Sequence, residues 1–327
     1  MSKAASLGWL CGHIYFQGDI YSPACDNLVL HLVAPFVESQ SAAGILKHYF
    51  FVRYRDPRPH VRLRLSAPAD AFFHLAEELN ERIGSFNTCI PLASAERSGA
   101  AAIQVRWLLY EREVERYGGT IGIEIAEHFF EVSTNVVLAL LARSDCGDQR
   151  VRFGKAVLVM LVLVHTLVAD RRASASFLFR YAKGYLRVWA TGGARDQMPV
   201  LFGDSFEKQK ASLLPYVESA WEQLEVNGTL PGALDDYRAG LRDVQLELKS
   251  ALERGELVWN GQTLATWADV VTCIVPSYLH MTNNRLGISP VDETFLGYLI
   301  GHALEAGRSA DRLPAHNGTA SPDAALT

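Results

Sequence analysis

The sequence predicts an α+β fold, in which an N-terminal mixed α/β part with a mainly antiparallel sheet is followed by a large all-helical part. Three observations predict this class. Short runs in the first third alternate apolar and polar residues, as half-buried strands do. Proline-rich turn chemistry separates two of these runs. From Ile121 onward the strand signals nearly vanish, and apolar residues recur at helical spacing instead.

The first part begins with strand signals and continues with alternating helices and strands. In order, we expect a strand near 9–16, a helix at about 23–38, strands at 49–55 and 60–66, a helix at about 69–83, a loop at 84–101 and a mixed segment at 103–117. The element Asp56-Pro57-Arg58-Pro59 should join the middle strands as a hairpin, because proline fixes φ and cannot donate to a ladder.

The second part is predicted to contain about seven helices. Their approximate ranges are 121–143, 150–169, 173–190, 205–225, 232–254, 264–285 and 290–305. We therefore divide the chain into a mixed part at 1–119, a helical part at 120–306 and a tail at 307–327. The tail is small, polar and proline-containing, which is the composition of a disordered segment.

Composition excludes several classes of function. The 327 residues are 49% hydrophobic and carry a formal net charge of −5, which offers no general attraction for nucleic acid. The five cysteines are dispersed and form no CxxC, and GxGxxG, Walker, GxSxG and HExxH motifs are absent. The apolar run 156–168 is too short to cross a bilayer, and the N-terminus has no signal-peptide pattern. We expect a cytoplasmic protein without metal, cofactor, membrane or direct nucleic-acid partner.

The most informative motif is the run 60–65, in which arginines alternate with apolar residues. In a strand, Val61, Leu63 and Leu65 face the core, while His60, Arg62 and Arg64 share the opposite face. Two guanidiniums side by side are unfavourable unless an anion or a carboxylate lies between them. The motif therefore predicts half of an anion-binding site, and an exposed edge strand with solvated arginines is the alternative.

A second charged motif spans 110–119 and ends in two glycines. Arg112 and Arg116 are four residues apart, a spacing that places both on one face of a strand or a helix. A surface ladder of Glu–Arg pairs is the alternative interpretation. Gly118 and Gly119 should let the backbone turn tightly into the next helix, whose unpaired N–H groups would be available to a ligand.

A third motif lies on the helix predicted at 264–285. His280 shares a polar stripe with Ser277, Asn283, Asn284 and Gly287, although the flanking residues are apolar. Polar groups in such a position need partners, so the stripe indicates either a site or a hydrogen-bonded helix contact. A basic helical face, formed by Arg180, Lys183 and Arg187, is interpreted as solvated surface, with contact to an acidic peptide as the alternative.

Taken together, the motifs at 51–64, 110–119 and 280–286 resemble the thiopeptide-type bacteriocin biosynthesis domain. This is the C-terminal, glutamate-elimination domain of lantibiotic dehydratases, which also occurs as a separate chain in thiopeptide pathways. The resemblance covers about residues 9–305. It extends to 126–130 and Ser133, although Val132 stands where the family usually has an aspartate.

The resemblance implies β-elimination on a ribosomally made precursor peptide. A glutamylating partner enzyme esterifies Ser or Thr with glutamate, and this domain removes the glutamate to leave dehydroalanine or dehydrobutyrine. Elimination needs a base for the Cα proton, stabilisation of enolate-like charge and a grip on a leaving group that carries carboxylates. The resemblance implies no cofactor.

The resemblance also assigns roles to individual residues. Arg62, Arg64 and Arg116 are expected to bind the glutamyl group and the developing charge, Glu113 to orient Arg116, and His280 to move the proton. Further candidates for substrate binding are Tyr110, Arg112, Tyr117, Ser277 and Asn284. Among these, Arg112 is the weaker one, because Glu111 or Glu115 is available to pair with it.

Two other functions remain open at this point. Pyridine synthases belong to the same superfamily, and they join two dehydroamino acids by a formal [4+2] cycloaddition with expulsion of the leader peptide. In that case Tyr110, Tyr117, Ser277 and Tyr278 would serve the reaction. A non-catalytic subunit that binds precursor peptide at a sheet edge is the other alternative. A homodimer and a complex with the glutamylating enzyme are both compatible with the sequence.

Overall fold

The chain folds around a four-stranded antiparallel sheet of order β2-β3-β1-β4. The strands are β1 (Leu7–Tyr15), β2 (His48–Tyr54), β3 (His60–Pro68) and β4 (Gln104–Leu108). The structure is a computed structural model that describes residues 7–89, 102–143, 148–168, 170–189 and 194–310. The α+β class predicted from the sequence is confirmed.

Strands β2 and β3 form the predicted hairpin, with Tyr54 opposite His60 and His48 opposite Ser66. β3 lies inside the sheet, between β2 and β1, so the alternative of an exposed edge strand is wrong. Val61, Leu63 and Leu65 are fully buried in the core, as the alternation predicts. The opposite face of β3 therefore carries the two arginines of the first motif.

One continuous helical segment follows β1, in agreement with the predicted helix. It consists of α1 (Pro23–Leu28), a π-turn (Val29–Val33) and α2 (Ala34–Ala42). Pro35 lies at the start of α2 and has no N–H to donate to the preceding turn. This explains why the residues before it form the wider, i→i+5 hydrogen bonds of a π-turn.

The segment after β3 differs from its prediction at both ends. A 3₁₀ turn (Ala69–Ala71) leads into α3 (Phe72–Cys89), which runs past Gly84, where the sequence predicted a loop. The remainder of that loop, 90–101, lies outside the described residues. In the segment 103–117 only β4 is a strand, and a 3₁₀ turn (Glu115–Tyr117) follows irregular backbone.

Two glycines start the next helix, as predicted, but they do not expose its end to a ligand. Gly118 and Gly119 have φ values of +93° and +91°, which favour glycine. The Val258 amide donates to the Gly118 carbonyl at 2.9 Å, and a Cβ on Gly119 would lie 3.5 Å from the Val258 side chain. The start of this helix is thus covered by protein.

The remaining elements are mainly helices. They are α4 (Gly119–Ala142), α5 (Gln149–Leu167), α6 (Arg171–Trp189), α7 (Ala194–Glu225), α8 (Ala233–Glu253), the hairpin strands β5 (Val258–Trp259) and β6 (Gln262–Thr263), α9 (Trp267–Cys273), α10 (Val275–Leu286) and α11 (Pro290–Ala310). The hairpin was not predicted, because each of its strands has only two residues.

Three helix boundaries differ from the predictions. α7 begins well before residue 205 and contains Pro199 and Pro215, so packing overrides their low helix propensity. The helix predicted at 264–285 is broken at Ile274, because Pro276 cannot donate to the turn before it. α11 continues through 306–310, and the rest of the predicted tail lies outside the described residues.

A single cluster of buried apolar residues joins the sheet to the helices, from Ile14 in β1 to Leu304 in α11. Among the described helices, α4 alone is long and apolar enough to cross a membrane, and 61% of its most apolar window is buried inside the protein. Core helices commonly pass this test of length and composition.

Candidate active site

A small cavity lies where the β2–β3 hairpin meets the segment 110–117 and helices α4 and α10. Its volume is about 100 Å³. Because one water occupies roughly 30 Å³, a cavity of this size is on the scale of the head of a side chain. Eight of the ten predicted site residues line it, namely Arg62, Arg64, Tyr110, Glu113, Arg116, Tyr117, His280 and Asn284.

Both arginines of β3 reach this cavity from one face of the sheet. The Arg62 guanidinium lies over the Tyr54 ring at 3.3 Å from its centroid, and its Nε donates to His60 Nε2 at 3.2 Å. Arg64 is buried and lies 4.6 Å from the centroid of the Tyr110 ring. Burial lowers the pKa of Arg64, and the charge of Arg62 lowers it further. A bound anion would relieve this unfavourable pairing.

Two histidines lie beside Arg62 on the same face. His60 Nδ1 donates to the Arg58 carbonyl at 2.7 Å, which leaves Nε2 to accept from Arg62. The His13 ring stacks on His60 at 4.8 Å between centroids. Burial, followed by the charge of Arg62, lowers the pKa of His13 to about 4, and burial also lowers the pKa of His60. Both rings are therefore neutral at pH 7.

Arg116 enters the cavity from the 3₁₀ turn before α4. Its Nη1 donates to Glu113 Oε2 at 2.8 Å, and its Nε donates to Ser277 Oγ at 3.1 Å. Burial alone disfavours its charge, but Tyr117 and Glu113 outweigh this effect and raise the pKa of the guanidinium. Glu113 therefore contacts Arg116 and lines the cavity, whereas Ser277 contacts Arg116 and does not line it.

Arg112 is not part of the cavity. Its Nε and Nη2 form a two-point contact with the Glu127 carboxylate at 2.8 and 2.6 Å. The expected pairing with Glu111 or Glu115 is thus wrong, because the backbone at 109–114 is irregular and the four-residue spacing no longer aligns Arg112 with Arg116. Glu127 lies on α4, 15 residues after Arg112, so the spacing within the second motif gave no sign of this pair.

His280 lines the cavity from α10 and is held by a residue that the sequence analysis did not identify. Its Nδ1 lies 2.8 Å from Oε1 of Glu293, whose side chain is fully buried on α11. Because a carboxylate accepts, Nδ1 donates, and Nε2 is the nitrogen left for proton transfer. Burial raises the pKa of Glu293, and the contact with His280 opposes that effect. The only sequence signal was an acidic residue directly after the third motif.

The other polar residues of α10 have structural contacts. Asn284 Oδ1 accepts from the Arg53 amide and Nδ2 donates to the Arg53 carbonyl, both at 3.0 Å, so this side chain joins α10 to β2. Tyr278 is fully buried and stacks on Phe129 at 4.0 Å, which excludes it from the cavity. Ser133 bonds to Thr282 at 3.0 Å in the interior.

A further buried arginine lies behind the cavity wall. Arg285 donates to the Met281 carbonyl at 2.9 Å, and its Nε and Nη2 have no hydrogen-bond partner among the described residues. Burial lowers its pKa to about 9, so it remains charged at pH 7. The guanidiniums of Arg64 and Arg285 lie 5.4 and 5.9 Å from the Phe50 centroid. Arg285 therefore adds positive potential behind the cavity.

The arrangement combines anion-binding groups with an acid–base residue. Three guanidiniums from two separate segments and one imidazole held by a carboxylate line the same small cavity. No group of three or more His, Cys, Asp or Glu residues in the described part of the chain could hold a metal ion. The fold and the cavity thus define an α+β protein with a small cavity lined by arginines, tyrosines and one histidine.

Residues 9–304 match the family model described as "Lantibiotic biosynthesis dehydratase C-term". The chain belongs to this family, which confirms the resemblance found in the sequence. It is 35% identical over 123 residues to the subtilin biosynthesis protein SpaB of Bacillus subtilis, covering 38% of this chain and 11% of SpaB. It is 25% identical over 260 residues to the nisin biosynthesis protein NisB of Lactococcus lactis subsp. lactis, covering 79% of this chain and 22% of NisB. The chain therefore spans only a small fraction of these relatives.

Solved structures share the fold along nearly the whole chain. TsrL superposes with a TM-score of 0.69 at 17% identity and covers 93% of this chain and 95% of its own. The pyridine synthase TbtD from thiomuracin biosynthesis gives 0.69 at 18% identity, with coverage of 92% and 99%. The tRNA-dependent lantibiotic dehydratase MibB from Microbispora sp. 107891 gives 0.61 at 18% identity, with coverage of 96% and 29%. At these identities the likeness concerns the fold.

Proposed function

We propose that this chain eliminates glutamate from glutamylated Ser or Thr residues of a ribosomally made precursor peptide in lanthipeptide or thiopeptide biosynthesis. The observation that carries the proposal is the convergence of Arg62, Arg64, Arg116 and His280 on one cavity of about 100 Å³. A glutamyl ester linked through the α-carboxyl group has a free γ-carboxylate, and its departure produces a second carboxylate. Several permanently charged guanidiniums suit such a leaving group.

The contacts of these residues support the following reaction. His280 moves the proton that leaves Cα of the substrate, while the Cβ–O bond breaks and its electron pair departs with the glutamate carboxylate. A Cα=Cβ bond remains in the peptide. Arg62 and Arg64 would hold the glutamyl group, and Arg116 would stabilise the charge that develops during proton transfer. Glu113 and Glu293 act as positioning residues for Arg116 and His280.

The proposed partners are the precursor peptide, with its leader and core, and a glutamylating enzyme that supplies the ester. Pyridine formation is the second candidate, favoured by the match with TbtD along the whole chain. That likeness concerns the fold, whereas cycloaddition needs mainly a shaped cavity and hydrogen-bond donors. The cluster of guanidiniums in a very small cavity supports elimination over cycloaddition.

Mass spectrometry of the purified chain with a glutamylated precursor peptide tests the proposal. We expect free glutamate and a dehydrated peptide, and no dehydration with the His280→Ala variant. A macrocycle with released leader, formed from a dehydrated precursor, would instead establish pyridine formation. An unchanged peptide in a stable complex would support the non-catalytic binding role.

A further inference from the structure

A second depression adjoins the cavity on the other side of Arg116 and His280. These two residues line both spaces, and the second one, which we call the α6 groove, has a volume of about 680 Å³. Its walls are α6 on one side and the α9–α10 junction on the other, with Phe177, Tyr181, Gly184, Tyr185, Val188 and Pro276 among the lining residues. The α6 groove is therefore adjacent to the cavity at His280.

The lining of the α6 groove is largely apolar and aromatic. Tyr181 lies between Phe177 and Tyr185, with ring centroids 6.3 and 4.6 Å apart, and the Tyr185 ring lies 5.2 Å from His280. Val188 at the rim is 71% exposed. The described residues that line the groove include no acidic side chain. Such a surface favours an apolar side chain attached to a peptide backbone.

The small volume of the cavity implies that the rest of the substrate lies outside it. Consecutive residues of an extended peptide advance about 3.3 Å, so a residue one or two positions from the reacting one reaches the adjoining groove. We propose that the α6 groove binds an apolar side chain of the core peptide within two positions of the processed Ser or Thr. That the reacting residue is a glutamylated Ser or Thr rests on the proposed function.

Two glycines provide a matched pair of variants. Gly184 in α6 and Gly84 in α3 are both exposed helical residues, and a Cβ added to either would meet nothing within 4 Å. A phenylalanine at 184 would fill the groove, whereas a phenylalanine at 84 lies on a helix that does not line it. Neither residue belongs to the cavity, and replacing glycine in a helix does not weaken the helix.

The experiment measures peptide binding without turnover. The probe is a short blocked peptide whose central diaminopropionate carries glutamate through an amide, which replaces the labile ester. One version of the peptide has leucine at the two positions before and the two positions after the diaminopropionate. The other version has glycine at these positions. We expect the leucine peptide to bind at least about tenfold more tightly to the wild type, an effect of the size expected for burial of one apolar side chain. Gly184→Phe should abolish this preference, and Gly84→Phe should retain it.

Equal affinity of the two peptides for the wild type would overturn the proposal, as would an equal loss of preference in both variants. A change in self-association of Gly184→Phe without any change in peptide preference would identify the groove as a contact between copies of this chain, which also overturns it. Glutamate release is measured separately, with peptides of the same sequence in which the central residue is a serine that carries glutamate through an ester. A leucine preference without glutamate release would support the groove and contradict elimination.

Discussion

At the scale of single residues, Arg62, Arg64 and Arg116 each lie over a tyrosine ring. The distances from guanidinium carbon to ring centroid are 3.3 Å for Arg62 over Tyr54, 4.6 Å for Arg64 over Tyr110 and 5.7 Å for Arg116 over Tyr117. A ring face restrains a guanidinium and leaves its positive charge in place. The tyrosine rings can therefore order these cations and keep them attractive to a carboxylate.

The first prediction concerns the planar shape of one guanidinium. Arg62→Lys keeps the charge but loses the contact with the Tyr54 face and the Nε bond to His60. We expect glutamate release to fall roughly ten- to a hundredfold, as for loss of hydrogen bonds to a charged group. The control is Arg106→Lys, because Arg106 also lies over a tyrosine ring, 5.6 Å from Tyr15, but does not line the cavity. Unchanged release by Arg62→Lys would show that binding of the glutamyl group does not require the planar guanidinium of Arg62.

The second prediction concerns the partner of His280. Glu293→Gln removes the buried charge that selects the Nδ1–H form of the imidazole. We expect kcat for glutamate release to fall roughly tenfold or more, with KM little changed, because proton transfer is impaired and the anion-binding residues are intact. The matched control is Asp292→Asn, whose carboxylate accepts from Ser289 Oγ at 2.6 Å outside the cavity. Full kcat in Glu293→Gln would exclude a positioning role.

At the scale of elements, the sheet combines cationic and neutral groups on one face. Strand β1 places His13 opposite Arg62 of β3, and Tyr15 opposite His60. Burial and, after it, the charge of Arg62 lower the pKa of both imidazoles, so His60 can act as a hydrogen-bond acceptor. The strand register therefore brings the charge of Arg62 next to both histidines.

The third prediction is a loss of stability in mild acid. The pKa of His13 is about 4 in the folded chain, below its usual value of 6.5. Between these values the unfolded state binds more protons, so the free energy of unfolding falls as the pH falls from about 6.5 to about 4, by up to about 1.4 kcal/mol per pH unit. Urea unfolding at several pH values in this window measures the slope. The slope should be smaller in His13→Gln, and an equal slope would show that His13 does not contribute.

At the scale of the whole molecule, one buried carboxylate connects the two parts of the chain. Asp26 in α1 accepts from Arg53 Nη2 of β2 at 2.7 Å and from Arg152 Nη2 of α5 at 2.5 Å. The same arginines donate to the carbonyls of Arg285 and Leu286 at the end of α10. This network connects β2, the strand paired with β3, to the helix that carries His280.

The fourth prediction tests this network. Asp26→Asn keeps the shape but removes the buried negative charge that Arg53 and Arg152 both contact. We expect the free energy of unfolding to fall by about 3–5 kcal/mol, as when one partner of a buried ion pair is removed. Asp19→Asn, in an exposed pair with Arg55, should cost about 1 kcal/mol or less. Urea unfolding compares the two variants, and similar small losses would mean that the network contributes little to stability.

The sequence was sufficient to predict the fold class, the β2–β3 hairpin and the shared face of Arg62 and Arg64. These features depend on the two-residue period of a strand and on turn chemistry, which are local properties of the backbone. The family resemblance, which placed Arg116 and His280 with them, is confirmed at the level of the family. The catalytic roles of these residues remain predictions.

Which groups these side chains contact was decided only by the tertiary structure. Arg112 pairs with Glu127, Asn284 bonds to the backbone of β2, and Glu293 holds His280. Each of these contacts joins different elements, and its geometry depends on how strands and helices pack across the whole core. The period of a strand or a helix predicts on which face of that element a side chain lies. Packing determines which group from another element lies opposite that face.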